Sequence, residues 1–191
     1  LAKMGHQVVG VDISQDKVDR MNQGLSSFFE SGLDDVIKDG LTHQRLSATC
    51  DLKQAVIDTE LTFVCVGTPS SHGGQVDLAF IKEAITGIGS AIATKTTPHV
   101  VVMRSTIPPG TAQEFVIPLL EKAANKPLGD QLQYVSNPEF LREGSAIADF
   151  MEPPLTVIGH QAQWAFAVME EVYLKIAAPL INTEIPIAEI L

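Results

Sequence analysis

Glu139 and Glu143 stand four residues apart with Arg142 beside them, in the string Asn137-Pro138-Glu139-Phe140-Leu141-Arg142-Glu143-Gly144. Two acids at this spacing fall on one face if the segment is helical. Pro138 suits the first turn of a helix, where a missing N–H costs nothing. The free amides of that turn, with the helix dipole, would hold an anionic group. Two acids, an Arg and a helix start at the end of a strand make a place suited to proton handling. The same spacing also fits a solvated acidic helix start, with Arg142 paired to a neighbouring acid. Three further polar clusters stand out: Asp12, with Lys17 five residues on; Gly67-Thr68 after Val66; and Ser105-Thr106 after Arg104.

Each cluster follows a stretch with strand character. His6 to Ile13 is apolar and β-branched, Leu61 to Gly67 is continuously apolar, His99 to Met103 precedes Arg104, and Gln133 to Ser136 precedes Asn137. A continuous apolar run such as 61–67 is of the kind buried on both faces. Helical segments alternate with these strands: Ser14 and Gln15 to Asn22, Gly32 to Lys38, Leu52 to Asp58, Asp77 to about Lys95, Thr111 to Ala124, and Gln161 to Ala177. Short strands follow at Arg45 to Cys50, Leu155 to Gly159 and Pro179 to Thr183, and a loop at Thr68 to Val76. The alternation predicts an α/β, doubly wound, Rossmann-like parallel sheet. Its right-handed crossovers would bring every strand's carboxyl end to one edge, where ligands bind.

The sequence of 191 residues is 45% apolar and carries 13 basic against 23 acidic residues, a net charge of −10. With no run of five like charges, nucleic acid and anionic membranes are poor partners. The longest apolar run, Ile85 to Ala93, is too short for a membrane span. No signal peptide is read at Leu1 to Gly5, and two cysteines without a CxxC pattern fit a reducing cytoplasm. Cys65, inside an apolar run, is expected to be a buried and inert thiol. The five histidines show no metal-ligand spacing, and no metal is assigned. Asp12, at the end of the first visible strand, is placed to hydrogen-bond the adenine ribose hydroxyls of NAD and to repel the 2′-phosphate of NADP.

Cys65 to Ser70 (CVGTPS), Arg104 to Thr111 (RSTIPPGT) and Asn137 to Phe150 (NPEFLREGSAIADF) together resemble the nucleotide-sugar 6-dehydrogenases, the family of UDP-glucose and GDP-mannose dehydrogenases. The segments at 10–14 and 45–51 fit the same pattern, so the likeness runs through essentially the whole chain. It implies oxidation of a sugar C6 alcohol to the carboxylate with two NAD in succession, by a homodimer or higher oligomer. By resemblance, Asp12 and Lys17 hold the adenosine ribose, and Val66, Gly67, Thr68 and Ser105 line the cofactor. Thr106 lies near the nicotinamide, and Glu139 is the base or water-orienting acid. Phe140, Leu141 and Arg142 wall the sugar nucleotide, and Glu143 bridges cofactor and substrate.

The likeness also implies departures. The family's catalytic Cys and Lys lie beyond Leu191, and its first strand and Gly-rich loop lie before Leu1. Residues 1–184 then form a partial NAD-binding domain and 185–191 begin the connecting helix. Expressed alone, such a chain is expected to be inactive, to bind NAD poorly and to associate through open sheet edges. Ser31 stands where the family usually has Pro after the acid matching Glu30, which is expected to loosen that loop. Glu152-Pro153-Pro154 is nearer the GDP-mannose branch than the UDP-glucose one. The alternatives are a 3-hydroxyacid or 6-phosphogluconate type of dehydrogenase domain, and a non-catalytic nucleotide-binding or oligomerisation module.

Overall fold

Strands and helices alternate as the periodicity predicts. The computed structural model describes residues 1–70, 74 and 76–191; part of the loop expected over 68–76 lies outside the described residues. The strands are β1 (Val8–Val11), β2 (Leu46–Thr49), β3 (Leu61–Val64), β4 (His99–Met103), β5 (Leu132–Ser136), β6 (Thr156–Gly159) and β7 (Leu180–Thr183). Between and after them run α1 (Gln15–Asn22), α2 (Leu33–Thr42), α3 (Leu52–Asp58), α4 (Ala79–Ile92), α5 (Ile117–Ala124), α6 (Ala146–Met151), α7 (Gln163–Val172) and α8 (Ile185–Ile190). None of the described helices is long and apolar enough to cross a membrane.

The strands form two sheets. β1 and β2 pair in parallel as a two-stranded sheet, and β3-β4-β5-β6-β7 form a five-stranded one. Among the described residues β1 and β3 each have a single strand neighbour, so each keeps one free edge. This changes the expectation for β3. Leu61, Thr62 and Phe63 are only partly buried, and Val64 alone is closed off, because the strand lies at a sheet edge. β4 and β5, inside the sheet, are buried at every residue.

One direction also differs from expectation. β5 and β6 pair antiparallel through Ser136 and Gly159, so β6 and β7 run against β3, β4 and β5. The carboxyl ends of β3, β4 and β5 share an edge, and β6 meets it in the opposite sense, with its last residue Gly159 beside Ser136 and its Val157 carbonyl bonded to the Asn137 side chain.

Alternation along β4 and β5 explains the core. Val101, Met103, Leu132 and Tyr134 face one layer with Ile81, Ile85 and Ile92 of α4 and Leu120 of α5. Val100, Val102 and Val135 face the other, with Ala165, Phe166 and Met169 of α7. Period-two alternation sends neighbours to opposite faces, so one strand feeds two cores. A Cβ on Gly89 of α4 would lie 2.6 Å from the Cβ of Ala123, so only glycine allows α4 and α5 this approach.

The far edge of the sheet carries a closed polar cluster. Lys95 Nζ donates to the carbonyls of Val56 (3.1 Å) and Thr59 at the end of α3, and to His99 Nδ1 (3.2 Å). His99 Nδ1 also lies 3.1 Å from the Thr59 carbonyl, and its Nε2 shares a hydrogen bond with Thr62 Oγ1 at 2.9 Å. Burial, with Lys95 beside it, brings the His99 imidazole down to about 4, so the ring is neutral.

Candidate functional site

At the end of β1, Asp12 and Lys17 meet. Asp12 Oδ1 accepts from the Ser14 amide at 2.9 Å, and Lys17 Nζ lies 3.3 Å from Oδ2. The first turn of α1 thus holds the carboxylate in place, and both side chains remain open to solvent.

Beyond β3, the chain through Val66 and Gly67 is held from β4. Ser105 Oγ donates to the Val66 carbonyl at 2.6 Å, and the Ser105 amide donates to the Val64 carbonyl at 3.0 Å. The Ser105 hydroxyl is therefore committed to shaping the loop. Among the described residues no heavy atom lies within 4 Å of where a Cβ on Gly67 would sit, so this stretch leaves room for a ligand. Thr68 is half-buried, and Thr106 is exposed with its hydroxyl unpartnered among the described residues. Cys65 is exposed, not buried as its apolar setting suggests, because β3 is an edge strand. Enough protein surrounds its sulfur for desolvation to push the thiol up, against the pull of the Arg104 charge.

The segment after β5 departs most from expectation. Residues 137–142 are extended loop, a turn spans 143–145, and the helix starts only at Ala146. Glu139 and Glu143 therefore do not share a helical face, and Pro138 is not at a helix start. Tertiary partners take the bonds a helix would need. Glu139 Oε2 accepts from the Leu141 amide at 2.5 Å, closing a tight local turn. Arg142 donates to Asp149 from its amide (3.0 Å), Nε (3.1 Å) and Nη2 (2.7 Å), and Ser145 Oγ adds a bond at 2.9 Å. The Arg142 guanidinium holds the Asp149 carboxyl far below the usual carboxylate range. Arg142 has thus found a neighbouring acid, the alternative its sequence setting left open. Gly144 completes the turn at φ 82°, in the left-handed region where glycine is at ease.

Asn137, fully buried, anchors the start of this loop. Its amide donates to the Met103 carbonyl at 2.9 Å and its Nδ2 to the Val157 carbonyl at 2.8 Å. Its Oδ1 accepts from Arg104 Nη1 (2.9 Å) and from the Tyr173 hydroxyl (2.6 Å). Arg104 also stacks on Phe150, its Cζ 5.7 Å from the ring centre. Arg104, Glu139, Phe140, Pro153, Thr156 and Tyr173 line a small hollow there. Phe140 and Leu141 are 40% and 37% exposed, so their side chains remain available to a ligand. Glu143 is exposed and makes no side-chain bond among the described residues.

Residues 1–177 match the NAD binding domain of the UDP-glucose/GDP-mannose dehydrogenase family. The chain belongs to that family. It is 44% identical over 191 residues to the GDP-mannose 6-dehydrogenase of Pseudomonas aeruginosa, covering 100% of this chain and 44% of the relative. It is 37% identical over 195 residues to a UDP-glucose 6-dehydrogenase of Haloferax volcanii, covering 100% of this chain and 45% of that one. The crystal structure of a ternary complex of GDP-mannose dehydrogenase from Pseudomonas aeruginosa superposes with a TM-score of 0.97 at 43% identity, over 99% of this chain and 43% of that one. A UDP-glucose dehydrogenase from Pyrobaculum islandicum superposes at 0.94 and 36% identity, over 99% and 43%. The chain spans a little under half the length of these relatives.

NAD is the cofactor of this domain family. Two observations fit the group: a fixed, solvent-facing carboxylate at the end of β1, and an open backbone at Gly67 beyond β3. Sequence reasoning did not single out Glu30, Asp149, Arg104, Asn137 or Tyr173 as site residues. Asp149 lay within reach as the one acid of α6. Tyr173, 36 residues from Asn137, carries no local signal.

Proposed function

We propose that the full-length protein oxidises the C6 alcohol of a nucleotide sugar to the carboxylate, passing hydrides to two NAD in succession, with GDP-mannose as the preferred substrate. The observation that carries this reading is the segment 137–145, fixed by Asn137 and Asp149 beside the carboxyl ends of β3 and β4, in a chain 44% identical to a GDP-mannose 6-dehydrogenase. NAD, when bound, would supply the hydride acceptor. Asp12 and Lys17 hold the adenosine ribose, and Val66, Gly67 and Thr68 line the cofactor, with Ser105 acting through the Val66 carbonyl. Thr106 stands next to the nicotinamide. Glu139 takes the proton of the C6 hydroxyl or orients water, and Glu143 bridges cofactor and sugar. Phe140, Leu141 and the Arg142 backbone wall the sugar nucleotide, because the Arg142 guanidinium is spent on Asp149.

The test is NADH formation by the full-length protein with GDP-mannose and with UDP-glucose, each against NAD and NADP. GDP-mannose with NAD should give the highest kcat/KM and two NADH per sugar. A higher kcat/KM with UDP-glucose overturns the substrate assignment, and no turnover with either overturns the function.

A further inference from the structure

Glu30 lies in the loop between α1 and α2, yet its carboxylate is bonded across the molecule. Oε2 accepts from the Gly144 amide at 2.9 Å and Oε1 from the Ala146 amide at 3.1 Å, more than a hundred residues away in sequence. The first amide lies in the turn that holds Glu143 and the second opens α6 directly behind it. A charged acceptor with one oxygen for each N–H is the strongest way to fix such a turn. The loop that carries Glu30 is itself tied down. Arg20 of α1 donates to the Ser26 carbonyl from Nε (3.2 Å) and Nη2 (2.8 Å), and the Ser26 amide donates to Asp34 Oδ1 of α2 at 2.8 Å. Gly32 then passes over α6, where a Cβ on it would stand 4.0 Å from Ile147 Cδ1.

We infer that Glu30 is a positioning residue that sets the substrate segment from the cofactor side of the molecule. The line runs from α1, which holds Asp12 through its first turn, by way of Arg20 and Ser26 to Glu30, and from there to the backbone behind Glu143. The inference rests on the reading of 139–143 as the sugar-nucleotide segment. It adds a residue that never touches the substrate but decides where the residues that do will stand. Losing the carboxylate frees two amides and lets the turn drift, and displacements of about 1 Å are enough to cost on the order of a hundredfold in rate.

The experiment uses the full-length protein and compares wild type, Glu30→Ala and Glu30→Gln by kcat, KM for GDP-mannose, KM for NAD and thermal midpoint. Glu30→Ala should lower kcat/KM for GDP-mannose about a hundredfold, while KM for NAD stays within about twofold. Glu30→Gln keeps one oxygen for one amide and should recover roughly tenfold of that loss. A cap that serves only stability would lower the thermal midpoint and the active fraction and leave both KM values and kcat per active site unchanged. That result, or a Glu30→Gln no better than Glu30→Ala, overturns the inference. A wild type that turns over neither sugar nucleotide overturns the functional reading instead. Calorimetric binding of GDP-mannose then decides the Glu30 inference, and a ratio of wild-type to Glu30→Ala affinity within about twofold, or no binding at all, rejects it.

Discussion

Val8–Val11 and Val100–Met103 are both short, apolar, β-branched stretches, but they have different fates. β4 is buried at every residue between β3 and β5, with a helical layer on each face. β1 has only β2 beside it, is half-buried, and leaves Val11 40% exposed. A fully buried valine contributes about 1.5–3 kcal/mol, so similar sequence yields much less stability where neighbours are lacking. The proposed site straddles this contrast. Glu139 and its anchor Asn137 hang from the buried sheet, whereas Asp12 and Lys17 hang from the open pair.

Hydrogen exchange on the 191-residue chain probes the contrast most directly. Amides of β4 and β5 should exchange only through global unfolding, and those of β1 and β2 through local opening at least about a thousandfold faster. Equal protection would show that the two sheets open as one unit.

Catalysis should depend on the buried side. In the full-length enzyme Glu139→Gln should cut kcat by ~10²–10⁴ with sugar-nucleotide binding nearly intact. A loss below about tenfold would return Glu139 to a turn-closing role through its bond to Leu141.

The buried side should also carry an acid sensitivity. His99 is lowered from its ordinary 6.5 to about 4, so the unfolded chain binds the proton first. Stability contributed by neutral His99 is fully present above pH 6.5 and is lost as pH falls toward 4, at most about 3 kcal/mol. Thermal midpoints measured across this window should fall, and His99→Gln should flatten the fall. A curve of unchanged slope in the variant assigns the sensitivity elsewhere.

On the open side the effect is smaller. Asp12→Ser in the full-length enzyme should lower kcat/KM for NAD by roughly tenfold, the worth of a hydrogen bond to a charged group, and narrow its advantage over NADP. If wild type prefers NADP, Asp12 is not a ribose ligand.

What could be read in the sequence was what local rules decide. α3 and β4 occupy the residues expected, Leu52–Asp58 and His99–Met103, because the Asp51 cap and the β-branched run are self-contained signals. The segment after Asn137 was misread because its amides are claimed from elsewhere. Pro138 and the acid spacing favour a helix, but Glu30 and Asp149 take the bonds that fix the turn, and Glu30 is 114 residues from Gly144. The exposure of Cys65 was likewise invisible: an apolar run looks the same at the edge of a sheet as at its centre.

α8 ends in a detail with mechanical meaning. Glu189 accepts from the Gly110 amide (2.9 Å), in the loop that follows Thr106, and from the Ala112 amide (2.8 Å), where the chain turns helical ahead of α5. One residue back, Ala188 stands where a Cβ on Gly159 would meet it at 2.6 Å, so the helix has no slack against β6. Seated against β6 and bonded to Gly110 and Ala112, α8 is geared to the stretch that follows Ser105 and Thr106, so a displacement of the helix should be felt there first. Glu189→Ala should disengage it, read as faster amide exchange at Gly110 and Ala112 with β7 unchanged; equal exchange in the variant would mean that nothing is geared there.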